Sequence, residues 1–222
     1  MPLLQLTLTE ARVIAVLAEK EKTVPDSYPM SLNAIITGCN QKTSRDPVME
    51  VTETEALSAI DALKSHTLVL ETFGNRVTRY GHNIGRVLNL PTPAVAIVVT
   101  LMLRGHQTSA ELRANCERLY RFADVSSIEA FLEELSQRAD GPLVKLMPRV
   151  PGAREARWAH LLCGEPVAGS EPAHVNSGGA GNGSTAALAE RVVTLEGQVA
   201  QLSAELARIA GELGITRVDE PQ

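Results

Sequence analysis

The residues best suited to recognition chemistry in this 222-residue chain stand in three short stretches. Asn40, Gln41, Lys42 and Arg45 share the run CNQKTSR. Arg76 and Arg79 lie in GNRVTRYGH, from Gly74 to His82. Arg149 precedes REARWAH, which spans Arg154 to His160 and contains Arg154 and Arg157. The last two stretches have one skeleton: Arg, two residues, Arg, an aromatic residue, one residue, His. Asn and Gln amides can read an adenine edge, and Arg and Lys can hold guanine or phosphate. These nine residues are therefore candidate contacts to double-stranded DNA or to a protein partner. A plainer reading has Asn40 and Gln41 capping a helix end and the arginines pairing with the protein's own carboxylates.

Catalytic chemistry has no comparable signature. The chain has no HExxH, no phosphate-binding loop and no nucleophile elbow. His66, His82, His106, His160 and His174 are scattered, with no carboxylate or cysteine at metal-ligand spacing. The expectation is a non-enzymatic protein without a cofactor or metal. Cys39, Cys116 and Cys163 form no CxxC pair, which fits buried thiols in a reducing cytoplasm. Cys39 and Cys116 fall at corresponding places in two repeated segments, as small packing residues would.

Net charge is −5, unevenly spread. Residues 1–90 hold 9 basic and 10 acidic side chains, residues 91–163 hold 9 and 8, and residues 164–222 hold 3 and 8. Any attraction to nucleic acid must come from local patches. No apolar run approaches the ~18 residues of a membrane span, and no secretory signal opens the chain.

The elements that must position these residues follow one plan twice. In the first copy, Thr9 is expected to cap a helix whose apolar stripe is Ala11, Ile14, Leu17 and Ala18. Ser31 caps a second helix, SLNAIITGCNQ. Thr52 and Glu55 have capping-box spacing at the start of a third, with Ala56, Ile60 and Leu63 inward. LVLETF and RVTRYG then read as two strands joined at Gly74-Asn75. The second copy repeats the order: TPAVAIVVTLMLRG with Pro93 in its first turn, SAELRANCERLY, SSIEAFLEELSQR opened by Ser126, and the strands PLVKLMP and REARWAHLL. The copies align through Ile14 with Ile97, Cys39 with Cys116, Leu57 with Leu132 and Arg76 with Arg154.

Three helices and a hairpin form the winged-helix plan. The expected fold is thus mostly α with small β-hairpins (α+β): one winged-helix domain over residues 1–88 and a second over residues 89–163. Residues 164–185, rich in Gly, Ser and Pro, read as a flexible linker. Over residues 186–215, Leu188, Val192, Leu195, Val199, Leu202, Leu206, Ile209 and Leu213 keep a heptad rhythm. Val at two of the four a positions and Leu at three of the four d positions predict a parallel two-stranded coiled coil, and so a homodimer.

The runs YPMSLNAIITGCNQKTSRDPVM (Tyr28 to Met49), FGNRVTRY (Phe73 to Tyr80), MLRG with QTSAELR after it, and DGPLVKL followed by PGAREARWAH resemble the YceH family of bacterial proteins. The resemblance covers roughly residues 5–163. It implies tandem winged-helix modules and a DNA-binding or regulatory role, and it brings no catalytic residues. Charge sets a competing expectation. Both third helices are acidic, with Glu50, Glu53, Glu55 and Asp61 against Lys64, and Glu129, Glu133 and Glu134 against Arg138. Such helices would meet phosphate repulsion in a DNA groove, so a protein-interaction scaffold is the alternative to DNA association.

Overall fold

The computed structural model describes residues 4–73, 77–149, 152 and 154–166. Arg76, the heptad series and nearly all of the expected linker lie outside the described residues. Seven helices and two antiparallel hairpins make up the described part. The first half holds α1 (Leu8–Thr23), α2 (Leu32–Cys39), α3 (Glu53–Ser65), β1 (Val69–Phe73) and β2 (Thr78–His82). A short α4 (Ile84–Val87) leads to the second half: α5 (Thr92–Arg104), α6 (Ser109–Cys116), α7 (Val125–Ser136), β3 (Val144–Leu146) and β4 (Trp158–His160).

Helix starts follow local hydrogen bonding. The cap of α1 is Thr7, not Thr9: Thr7 Oγ1 accepts the Glu10 N–H at 3.2 Å, and the Glu10 carboxylate accepts the Thr7 N–H at 3.0 Å. Glu10 stands three residues after Thr7, whereas Arg12 stands three after Thr9 and cannot close a capping box. The expected boxes at Thr52 and Glu55 and the Ser31 cap are present. In the second half Asp124, not Ser126, caps α7, because its carboxylate accepts both the N–H and the hydroxyl of Ser127, at 2.7 and 2.6 Å. Helix α6 ends at Cys116, short of the expected Tyr120. The amides of Leu119 and Tyr120 both turn onto the Cys116 carbonyl. This turn brings Phe122 into the core, edge-on to Tyr120 and Phe131. Helix α4, absent from the sequence expectation, buries Ile84.

Helices α1 and α5 pack against each other, and the described residues belong to one compact unit. Each of the two is enclosed on more sides than an amphipathic stripe would need. Every residue from Ala11 to Ala18 is buried, as is every residue from Ala96 to Leu103. Around them the halves match. Ala56, Ile60 and Leu63 of α3 are buried, and so are Ile128, Leu132 and Leu135 of α7, at a constant separation of 72. Burial of each Leu or Ile in these sets contributes about 1.5–3 kcal/mol before the cost of ordering. The counterpart of Leu132 is thus Ile60. The expected partner, Leu57, is 38% exposed on the outer side of α3.

The hairpins pair in matching register, Val69 with His82 and Val144 with His160. Each gains a further backbone partner from the residue before the second helix's cap. Met30 exchanges two hydrogen bonds with Tyr80 at 2.8 and 2.9 Å, and Gln107 exchanges two with Trp158 at 2.7 and 3.1 Å.

Candidate functional site

The CNQKTSR run sits between α2 and α3 and turns inward. Asn40 closes the loop: its Nδ2 donates to the Val51 carbonyl at 2.9 Å and its Oδ1 accepts the Val51 N–H at 2.7 Å. Arg45 has no exposed side-chain surface. Its Nε donates to the Gly38 carbonyl at 3.1 Å. Nη1 donates to Glu19 Oε1 at 3.2 Å and to the Ser44 carbonyl at 2.9 Å. Nη2 donates to Glu19 Oε2 and to Gln41 Oε1, each at 2.6 Å. All five guanidinium N–H groups are therefore spent inside the protein. Burial pushes the Glu19 carboxyl up, but the Arg45 and Lys20 contacts outweigh it and hold Glu19 below its ordinary value.

A second buried arginine braces the same loop. Arg12 of α1 donates through Nη1 to the Cys39 carbonyl at 3.2 Å and through Nη2 to the Pro47 carbonyl at 2.7 Å. Cys39 ends α2, where unpaired carbonyls favour a cation. Burial, and then the charge of Arg45, lower the Arg12 pKa. The far side of the loop rests on α5. The Asp46 N–H donates to the Leu103 carbonyl at 2.8 Å, and Arg104 Nη2 donates to Ser44 Oγ at 2.8 Å. Of the four candidate residues in this run, Lys42 alone is fully exposed, and Gln41 is partly covered.

The shared skeleton of the two arginine-aromatic stretches has a common geometry. Arg79 Nη1 donates to the Pro29 carbonyl at 2.7 Å, and Arg157 Nη1 donates to the His106 carbonyl at 2.9 Å. Each arginine thus ties its strand to the residue preceding the extra backbone partner, Met30 or Gln107. Arg157 also pairs with Glu111 at 3.0 Å. The aromatic next in line, Tyr80 or Trp158, is buried in the core. Arg149 and Arg154 are exposed; Arg149 Nη1 is 3.5 Å from the Arg154 carbonyl. Eight of the nine candidates lie among the described residues. Arg45, Asn40, Arg79 and Arg157 hold loops and strands, while Lys42, Arg149 and Arg154 point outward.

The thiols of Cys39 and Cys116 end α2 and α6 and are buried. Burial pushes them up to about 12 and about 11. Among the described residues no group of three His, Cys, Asp or Glu side chains could hold a metal ion. Among them, too, no helix is long and apolar enough to cross a membrane.

Sequence spacing did not single out Glu19, Arg12 or Arg104. They come from helices far from the loop in sequence, and only the packing of α1 and α5 brings them to it. A family model described as "Protein of unknown function, DUF480" matches residues 6–153. A UPF0502 protein from Leptothrix cholodnii is 55% identical over 216 residues, covering 95% of this chain and 96% of the relative. One from Delftia acidovorans is 54% identical over 213 residues, covering 95% and 93%, and one from an Acidovorax species is 53% identical over 213 residues, covering 95% of each. With a family model over two thirds of its length and relatives this similar along nearly all of it, the chain belongs to the DUF480 family, as the YceH resemblance implied.

Proposed function

We propose that the two halves are winged-helix modules that recognise a protein partner, and that this is a non-enzymatic role. The observation that carries this reading is the outer face of the two third helices. Glu53, Thr54, Leu57, Ser58 and Asp61 are exposed on α3, and Glu129, Ala130, Glu133 and Glu134 are exposed on α7. A winged helix that reads DNA presents this helix to the major groove. Carboxylates there would face phosphates at close range, outnumbering the one cation on α3, Lys64, which already pairs with Asp61. A basic protein surface with an apolar contact for Leu57 suits the same face. The internal use of Arg45 and Arg157 further reduces the cations left for a phosphate backbone. The heptad series from Leu188 to Leu213 adds self-association as a coiled coil, giving each assembly two such bodies.

A second reading, DNA association through the second hairpin, is favoured by the exposure of Arg149 and Arg154. One experiment separates the two. The full-length chain is used to recover partners after nuclease treatment, alongside a Glu53→Lys, Asp61→Lys variant, and is titrated with random duplex DNA at low ionic strength. A protein partner retained by the wild type and lost by the variant supports the first reading. A salt-sensitive duplex complex abolished by Arg149→Ala, Arg154→Ala, with no nuclease-resistant protein partner, overturns it in favour of the second.

A further inference from the structure

We propose that the cleft bounded by the C-terminal turn of α1, the loop at residues 41–44 and the last turns of α5 and α6 binds a small phosphorylated ligand. The cleft encloses about 190 Å³, below the ~300–1,000 Å³ of sites for drug-sized molecules. That space suits a phosphate or diphosphate group with a small organic part.

Its charge is opposite to that of the chain. Lys20, Arg104 and Arg118 line it, against a single lining carboxylate, Glu19. Both Glu19 oxygens are occupied by Arg45. The three lining cations and one carboxylate leave an excess of two positive charges at one concave place in a chain of net charge −5. A recessed cluster of one sign focuses the field on an incoming anion.

The donors also remain available. Arg104 makes one hydrogen bond, from Nη2 to Ser44 Oγ, and no ion pair among the described residues. Arg118 is exposed and has neither. Lys20 Nζ is 3.3 Å from Glu19 Oε2 and 3.4 Å from Gln41 Oε1, long contacts that leave a donor to turn outward. Ser44 is held at φ 60°, the left-handed region that non-glycine residues seldom occupy. That conformation belongs to the loop that offers the Ser44 and Thr43 hydroxyls beside the arginines. Backbone held in a rare conformation at a polar cleft is a recurrent property of ligand sites. Lys20 and Arg104 also stand in the last turns of α1 and α5, where a cation offsets the helix dipole. That role uses their charge without consuming their free N–H groups.

Isothermal titration of the full-length chain with inorganic pyrophosphate, and in a second arm with inorganic phosphate, tests the proposal. The expected result is saturable binding at one site per chain. Arg104→Gln and Arg118→Gln each weaken it about tenfold, the effect of losing one charge-assisted hydrogen bond, while Arg149→Gln leaves it unchanged. Preference for pyrophosphate over phosphate marks a diphosphate ligand, and the reverse marks a monoester. Arg118 is exposed, so its variant decides the matter even if Arg104→Gln fails to fold. A folded wild-type chain that binds neither anion overturns the proposal. So does binding that both cleft variants retain in full, or binding that Arg149→Gln weakens equally.

Discussion

Arg45 and Glu19, 26 residues apart, form a two-point ion pair at 2.6 and 3.2 Å that anchors the loop between α2 and α3 to α1. The arginine side of this pair is fully covered and the carboxylate partly so. Removing one partner leaves the other charged and unpaired, which for a buried pair costs about 3–5 kcal/mol. Arg45→Ala is expected to fall in that range in urea unfolding. Arg45→Lys should recover little of the loss, since an ammonium cannot serve five acceptors placed for a planar fork. Full recovery by lysine would contradict the assignment of all five donors.

The same pair gives stability an acid limit. Glu19 titrates below its ordinary 4.5 in the folded state. Its contribution is complete above the unfolded value and is lost as pH falls through the lower, folded one. Stability measured by denaturant at a series of pH values should therefore drop below about pH 4.5, and the drop should be shallower in Glu19→Gln.

His160 acts over a higher window. Burial, and to a smaller degree the charge of nearby His106, lowers it from 6.5 to about 4. Its Nδ1 is buried without a hydrogen-bond partner. Between these two values the unfolded chain binds more protons than the folded one, so stability declines as pH falls from 6.5 to 4. The loss from this residue is on the order of 2–3 kcal/mol. His82, its counterpart in the first hairpin, is lowered in the same direction, again chiefly by burial. His160→Leu should flatten the profile in this range, and an unaltered slope would refute the role given to His160.

Gly105 follows α5 at φ 69° and ψ −154°, a backbone region nearly confined to glycine. A Cβ placed there would lie 2.9 Å from Asp46 Oδ2. Gly105→Ala is expected to cost about 2–3 kcal/mol through strain and to loosen the contact of the 41–50 loop with α5. Amide exchange at Asp46, which donates to the Leu103 carbonyl, should quicken with it.

The proposed coiled coil is separable from the body. Truncation after Cys163 should leave the circular-dichroism signature of the helical body and lower the number of chains per particle in light scattering. An unchanged number of chains would rule out the heptad residues as the source of self-association.

Much of the architecture is legible in short stretches of sequence. Thr52 with Glu55 and Ser31 marked helix starts, the 56–60–63 spacing marked a buried face, and the repeated Arg-aromatic-His skeleton marked two equivalent strands. These signals are local: a cap is decided within three residues, and periodicity within a few turns. The acidity of the third helices was equally plain, because charge needs no fold to be counted. Which way a side chain faces was a different matter. Arg45 could serve a phosphate or a carboxylate with the same five donors, and nothing within its loop distinguishes the two. Helix α1 brought Glu19 to it, and the packing of α1 on α5 buried residues all around both helices where one stripe was expected. The sequence alone determined most of the elements, though not α4, and their charges. The tertiary structure decided which charges are spent internally, because an ion pair depends on distances across the fold that local spacing does not encode.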